Sequence, residues 1–153
     1  MVLSLPPPLE PQRFNIINNK KAALIKRDKR EVSQLLEEGK EEKARIKVEH
    51  IIRSDFTIEA YEILELYCEL IHERIRLINA EKTCPPDLVE AVCTLIWASN
   101  RTEAQELGTI AQQLTYKYGK EMASRAKDNE GGCVNERVVH KLSVQPPSAS
   151  RRP

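Results

Sequence analysis

Glycine, aromatic residues and long apolar runs are all scarce in this chain. With 5 Gly, 1 Trp, 4 Tyr and 2 Phe among 153 residues, it lacks the β-branched and aromatic clusters, bounded by Gly or Asn turns, that mark sandwiches and barrels. Its longest apolar runs are four residues, such as Leu95 to Ala98, far short of the roughly 20 needed to cross a bilayer. The start, Met-Val-Leu-Ser-Leu before Pro6, Pro7 and Pro8, has neither the positive first region nor the apolar stretch of a secretory signal. A cytoplasmic protein is expected, with at most peripheral membrane contact. Cys68, Cys84, Cys93 and Cys133 show no C-x-x-C spacing, so neither a disulfide framework nor a zinc ribbon is expected and the thiols read as reduced.

Helix is what remains. Residues 1–12 hold four of the nine prolines and read as a flexible lead-in. From Arg13 to Glu37 there is no Pro or Gly, and Phe14, Ile17, Leu24, Val32, Leu35 and Leu36 follow three/four spacing, which predicts a first helix. Gly39 supplies the left-handed position that ends helices, so the chain turns back as a hairpin. The second helix reads from Lys40 to Asn79 without a break. Its first half carries one apolar stripe (Ala44, Val48, Ile51, Ile52, Phe56), whereas Ile58, Tyr61, Ile63, Leu64, Leu66, Tyr67 and Leu70 occupy several faces. That half requires several packing neighbours from downstream. Pro85 and Pro86 suit the first turn of a third helix ending near Ala98, with Leu88, Val89, Val92, Leu95 and Ile96 buried. Thr102 and Gln105 form a capping box for a fourth helix reaching Lys127. Gly131 and Gly132 break the chain, and Asn135 caps a fifth helix with Val138, Val139 and Leu142 inward. The expected architecture is an all-α elongated bundle, a long hairpin with shorter helices packed at one end, over residues 13–145, with a short disordered tail at 146–153.

Charge is abundant but nearly balanced, 24 Lys+Arg against 23 Asp+Glu, which argues against a uniformly basic nucleic-acid binder. The balance hides segregation. Between Arg13 and Leu36 seven basic residues stand against Asp28 and Glu31, and between Asp55 and Glu73 six acids occur with no Lys or Arg. The plain reading is two solvated helix faces. Opposite runs on the two arms of one hairpin also suit contact with an anionic leaflet, or head-to-tail docking of one molecule's basic arm on another's acidic arm. Nucleic acid is not expected, because no aromatic residues interleave with the basic ones.

Catalytic patterns are thin. Glu69-Leu70-Ile71-His72 is one Glu-x-x-His element, where a di-iron bundle needs two plus two further glutamates. Cys68 and His72 share a helix face, but without a second pair they read as a buried thiol beside an exposed imidazole. With 3 His, no Gly-rich phosphate loop and no nucleophile elbow, neither an enzyme nor a cofactor is expected.

Five strings, Lys43 to Arg53 (KARIKVEHIIR), Glu62 to Leu70 (EILELYCEL), Thr94 to Ala98 (TLIWA), Lys117 to Glu121 (KYGKE) and Val134 to Leu142 (VNERVVHKL), stand in the order and spacing of the Increased Sodium Tolerance family. The chain thus resembles these ESCRT-III-like proteins over about residues 13–145. The resemblance implies a non-enzymatic scaffold or regulator in multivesicular-body sorting and membrane remodelling, which co-assembles with other ESCRT-III subunits. It also implies a homo- or hetero-polymer, an indirect link to the AAA ATPase that disassembles it, and peripheral residence on endosomal membranes. The alternative is a soluble helix-binding adaptor that neither polymerises nor binds membrane. The family's basic membrane or subunit contact maps onto Lys20, Lys21, Lys26, Arg27, Lys29 and Arg30. Its partner groove maps onto the acidic arm at Glu62, Glu65, Tyr67 and Glu69, where Leu66, Tyr67, Leu70, Leu95 and Trp97 are equally suited to burial. Family members carry the first helix about a dozen residues further upstream, so exposed apolar surface is expected around Leu70 and Leu77. They also continue past the equivalent of Pro146-Pro147 into another helix and a tail with motifs for the ATPase's MIT domain, so direct ATPase recruitment is not expected of this chain.

Overall fold

The computed structural model describes residues 12–102 and 105–143. Two antiparallel helices, α1 (Gln12–Glu37) and α2 (Glu41–Glu73), form the hairpin. Gly39 turns it at φ 76°, and the Lys40 N–H donates to the Leu35 carbonyl at 2.8 Å, satisfying an orphan carbonyl of the helix end. Pairing along the hairpin is marked by Lys47, which meets Glu31 at 3.0 Å and Asp28 at 3.8 Å, and by Asn18, whose Nδ2 donates to the Ile58 carbonyl at 3.5 Å. Extending this register brings Gln12 level with Leu64. At 1.5 Å per residue α2 is about 50 Å long and the described α1 about 39 Å, so the last turns of α2 run beyond the described part of α1.

The shorter helices pack there: α3 (Ile75–Ala80), α4 (Val89–Ala98, opened by a 3-10 turn at Pro86–Leu88), α5 (Gln105–Tyr118), α6 (Lys120–Lys127) and α7 (Glu136–Ser143). α4 is the centre. Every residue from Ala91 to Ala98 is buried, as a helix that is apolar all round must be. Tyr61, Leu64, Cys68 and Ile71 of α2 pack on it with Ile78, Leu107, Ile110, Leu114 and Val138. The multi-faced half of α2 thus finds the several downstream neighbours its sequence requires.

Two expected helices are interrupted. The second does not continue to Asn79 but breaks at Arg74, whose N–H is shared between the Leu70 and Ile71 carbonyls and whose guanidinium holds Asp87 at 2.8 Å. The break turns Ile78 into the core, where it is fully buried beside Ile71. The fourth is divided at Gly119, φ 98° and ψ 162°, a conformation open only to glycine. The lead-in and the tail lie outside the described residues, and the Thr102–Gln105 capping box spans the undescribed 103 and 104.

Thr94, Asn135 and Tyr67 lock the bundle together. The Asn135 side-chain oxygen accepts from the Arg137 and Val138 N–H groups at 2.9 and 3.2 Å, capping α7 as its sequence indicates. The Asn135 backbone N–H donates to the buried Thr94 hydroxyl at 2.9 Å, and its Nδ2 donates to the Tyr67 hydroxyl at 2.8 Å. Tyr67 in turn donates to Glu90 Oε2 at 2.5 Å. One asparagine therefore ties α7 to both α2 and α4. Further along, Lys141 reaches Glu59 at 2.8 Å and lies 4.4 Å from the centre of the Phe56 ring, which fixes the other end of α7 on α2.

Candidate partner-binding surfaces

The basic arm keeps its cations outward. Lys20, Lys26, Arg27, Lys29 and Arg30 are exposed and Lys21 is half-buried. The two acids of the same stretch, Asp28 and Glu31, turn instead toward Lys47 of α2. The Glu31 hydrogen bond and charge hold the Lys47 ammonium above its ordinary pKa. Separating acids inward from bases outward makes the exposed face of α1 more cationic than the linear sequence indicates. That face is also partly apolar, because Ile16 and Leu24 are 49% and 47% exposed and share the three/four-spaced row Ile16, Lys20, Leu24, Arg27.

On α2 the acids Glu62, Glu69 and Glu73 are exposed and Glu65 is half-buried. Partial burial, then the charges of Glu69 and Glu62, raise the Glu65 pKa, so these carboxylates sit close enough to repel. In their midst Leu66 is 62% exposed. The sequence left it open between the partner groove and burial. By the hairpin register, the described part of α1 reaches the level of Leu64, just short of Leu66. Its position four residues after Glu62 and three before Glu69 was the signal that it shares their face. Leu77 is 38% exposed, as expected, while Leu70 is half-buried and Leu95 and Trp97 are buried. Tyr67 points differently from the glutamates. Its hydroxyl is committed to Glu90 and Asn135, and burial, followed by the Glu90 hydrogen bond, pushes its pKa up to about 12.

The remaining candidates stay apart. Cys68 is buried and His72 exposed, and no group of three or more His, Cys, Asp or Glu suited to a metal occurs among the described residues. No described helix is long and apolar enough to cross a membrane.

A long hairpin with a helical cluster at its far end is the arrangement the five strings anticipate. The family model described as "Ist1: Regulator of Vps4 activity in the MVB pathway" matches residues 9–152. The chain belongs to the Ist1 family. An IST1-like protein of Dictyostelium discoideum is 44% identical over 138 residues, 90% of this chain and 37% of that protein. The Saccharomyces cerevisiae vacuolar protein sorting-associated protein IST1 is 33% identical over 145 residues, 89% of this chain and 48% of that protein. The chain spans less than half the length of either relative. The crystal structure of the S. cerevisiae Ist1 N-terminal domain in complex with a Did2 MIM motif superposes with a TM-score of 0.81 at 32% identity, covering 91% of this chain and 78% of that one. An Ist1-family helical fold of the ESCRT-III-like kind is thereby shown.

Proposed function

We propose that this Ist1-family chain is an ESCRT-III-associated scaffold and regulator in multivesicular-body sorting, acting through protein binding and not through catalysis. The acidic arm takes a basic-flanked amphipathic helix of a partner ESCRT-III subunit, with Leu66 as apolar anchor and Glu62, Glu65, Glu69 and Glu73 as its charged surround. The basic arm, Lys20, Lys21, Lys26, Arg27, Lys29 and Arg30, meets an anionic endosomal leaflet or the acidic arm of a neighbouring subunit, the second contact building a polymer. The ATPase that disassembles such polymers is engaged indirectly, through those subunits.

The observation that carries this reading is a 62% exposed leucine inside a cluster of carboxylates on α2. A relative of the same fold crystallised with a partner's MIM motif lends it further support. Fluorescence anisotropy with a panel of labelled ESCRT-III tail peptides tests it. Saturable 1:1 binding is expected, weakened about tenfold by Leu66→Ala, the loss of one central apolar anchor. The same substitution should leave folding stability within about 0.5 kcal/mol, since it is a surface change. Binding unaffected by Leu66→Ala and by Glu62→Lys would refute the assignment.

A further inference from the structure

Three of the four thiols, scattered over fifty residues of sequence, converge in space. Cys84 from the α3–α4 connection, Cys93 from α4 and Cys133 from the α6–α7 connection line one cavity of about 270 Å³, with Val89, Met122, Arg125 and Glu130 as its other walls. All are free thiols; Cys93 is buried, while Cys84 and Cys133 are half-buried. Cys84 donates to the Pro85 carbonyl at 3.6 Å and neighbours the Tyr118 hydroxyl. Cys133 donates to the Arg125 carbonyl at 3.7 Å and interacts directly with Cys93.

We propose that Cys93 and Cys133 are a modification site, an oxidisable pair at which a hydroperoxide closes an intramolecular disulfide between α4 and the α6–α7 connection. This inference is independent of the partner-binding reading. The half-buried Cys133 takes the first step. Its sulfur attacks one peroxide oxygen, the O–O bond breaks, and the departing oxygen leaves as water with the thiol proton, giving a sulfenic acid. The Cys93 sulfur then attacks that sulfenic sulfur, the S–O bond breaks, and the hydroxyl leaves as a second water with the Cys93 proton. The two sulfurs together lose two electrons and the peroxide gains them. Burial, then the neighbouring Cys133 and Cys84 thiols, push the Cys93 pKa up to about 12, so Cys93 rests as a neutral thiol and is not the sulfur that meets the peroxide first. A bond of this kind in a reducing compartment is transient and sensing in character, not a structural staple. Its effect is local and specific. The connection it anchors carries Asn135, so closure pins the root of α7 to α4 beside the Thr94 and Tyr67 contacts.

The test uses the full chain, reduced and freed of reductant, then exposed to hydrogen peroxide and blocked with an alkylating reagent. Before blocking, intact mass is expected to fall by two hydrogens, and the blocked, unfolded chain should carry two fewer alkyl groups than the untreated protein. Trypsin alone leaves Cys84 and Cys93 on one peptide, so digestion adds a protease cutting after Glu90 to separate them. The expected product links the Cys93 and Cys133 peptides. Cys84→Ser should close the bond as the wild type does, and Cys93→Ser should stop at a sulfenic acid on Cys133 that a dimedone probe captures. A linkage through Cys84, a linkage only between chains, or oxidation of Cys133 with no linkage in the wild-type protein would each overturn the proposal, and none of these readings depends on the variants folding.

Discussion

Replacing Asn135 by Ala removes three bonds at once, and their arrangement sets the size of the effect. Loss of the side-chain oxygen uncaps α7 at the Arg137 and Val138 N–H groups, which costs about 1 kcal/mol. Loss of Nδ2 leaves the Tyr67 hydroxyl without its donor, which costs about 1 kcal/mol more. The Asn135 backbone bond to Thr94 survives the substitution. The sum, about 2 kcal/mol, corresponds to a fall in Tm of about 6 °C for a domain of this size. Tyr67→Phe removes the same bond from its other end together with the one to Glu90. The two substitutions should therefore be non-additive by about 1 kcal/mol in a double-mutant cycle. Thermal melts followed by circular dichroism measure both quantities, and hydrogen exchange should show faster opening confined first to α7. The same Tyr67→Phe protein separates architecture from recognition, because peptide affinity at the acidic arm should survive it. Additive effects, a loss under about 0.5 kcal/mol for Asn135→Ala, or unchanged exchange in α7 would refute the reasoning.

Other outcomes follow from single features. Reversing Lys20, Lys26, Arg27 and Arg30 to Glu should abolish sedimentation with anionic vesicles while leaving neutral vesicles as before; equal binding to both vesicle types by the wild type would remove the membrane contact. Gly119→Ala should cost about 1–3 kcal/mol, because φ is 98° there, whereas Gly108→Ala in α5, with no atom within 4 Å of the new methyl, should stabilise by about 0.5–1 kcal/mol; urea titration of both variants checks the opposed signs. Tyr67 and Cys68 have folded pKa values pushed, chiefly by burial, from 10.0 and 9.0 to about 12. The unfolded chain loses these protons first, so their stabilising contribution is complete below about pH 9 and is lost as pH rises toward 12; a urea midpoint that does not fall between pH 8 and 11 would contradict this.

The hairpin was legible because its signals are local. An unbroken helical spacing on each arm and Gly39 between them leave the chain little else to do, and Asn135 announced α7 by the chemistry of a cap. The break at Arg74 was not legible, since neither Pro nor Gly stands there; it arises from the burial of Ile71 and Ile78 in one core and from the Asp87 contact across the connection, both tertiary effects. The division at Gly119 was not legible either, because Leu114, Tyr118 and Met122 keep helical spacing across it and mask the interruption. At the surfaces, the residue types were readable and their directions were not. Tyr67 sits among the acidic-arm residues in sequence but turns to Glu90 and Asn135, while Leu66, beside it, takes the outward position. The convergence of Cys84, Cys93 and Cys133 depends on the packing of three separate segments and leaves no spacing signature at all.

The two arms differ in how they manage their charge, and the difference bears on what each can bind. On α1 the minority acids are spent on Lys47, so the outward cations repel one another across long, solvated side chains that screen easily. In the acidic stretch of α2, Glu59 is matched by Lys141 at 2.8 Å. Glu65 is partly desolvated and flanked by Glu69 and Glu62; burial first, and their charges second, raise its pKa. A cationic helix laid over Leu66 relieves the repulsion among these carboxylates and buries an exposed leucine in the same step. Such a contact has a hydrophobic component that salt does not screen, whereas attraction of α1 to a leaflet is dominated by charge. Raising ionic strength should therefore detach the basic arm from vesicles well before it releases a peptide from the acidic arm.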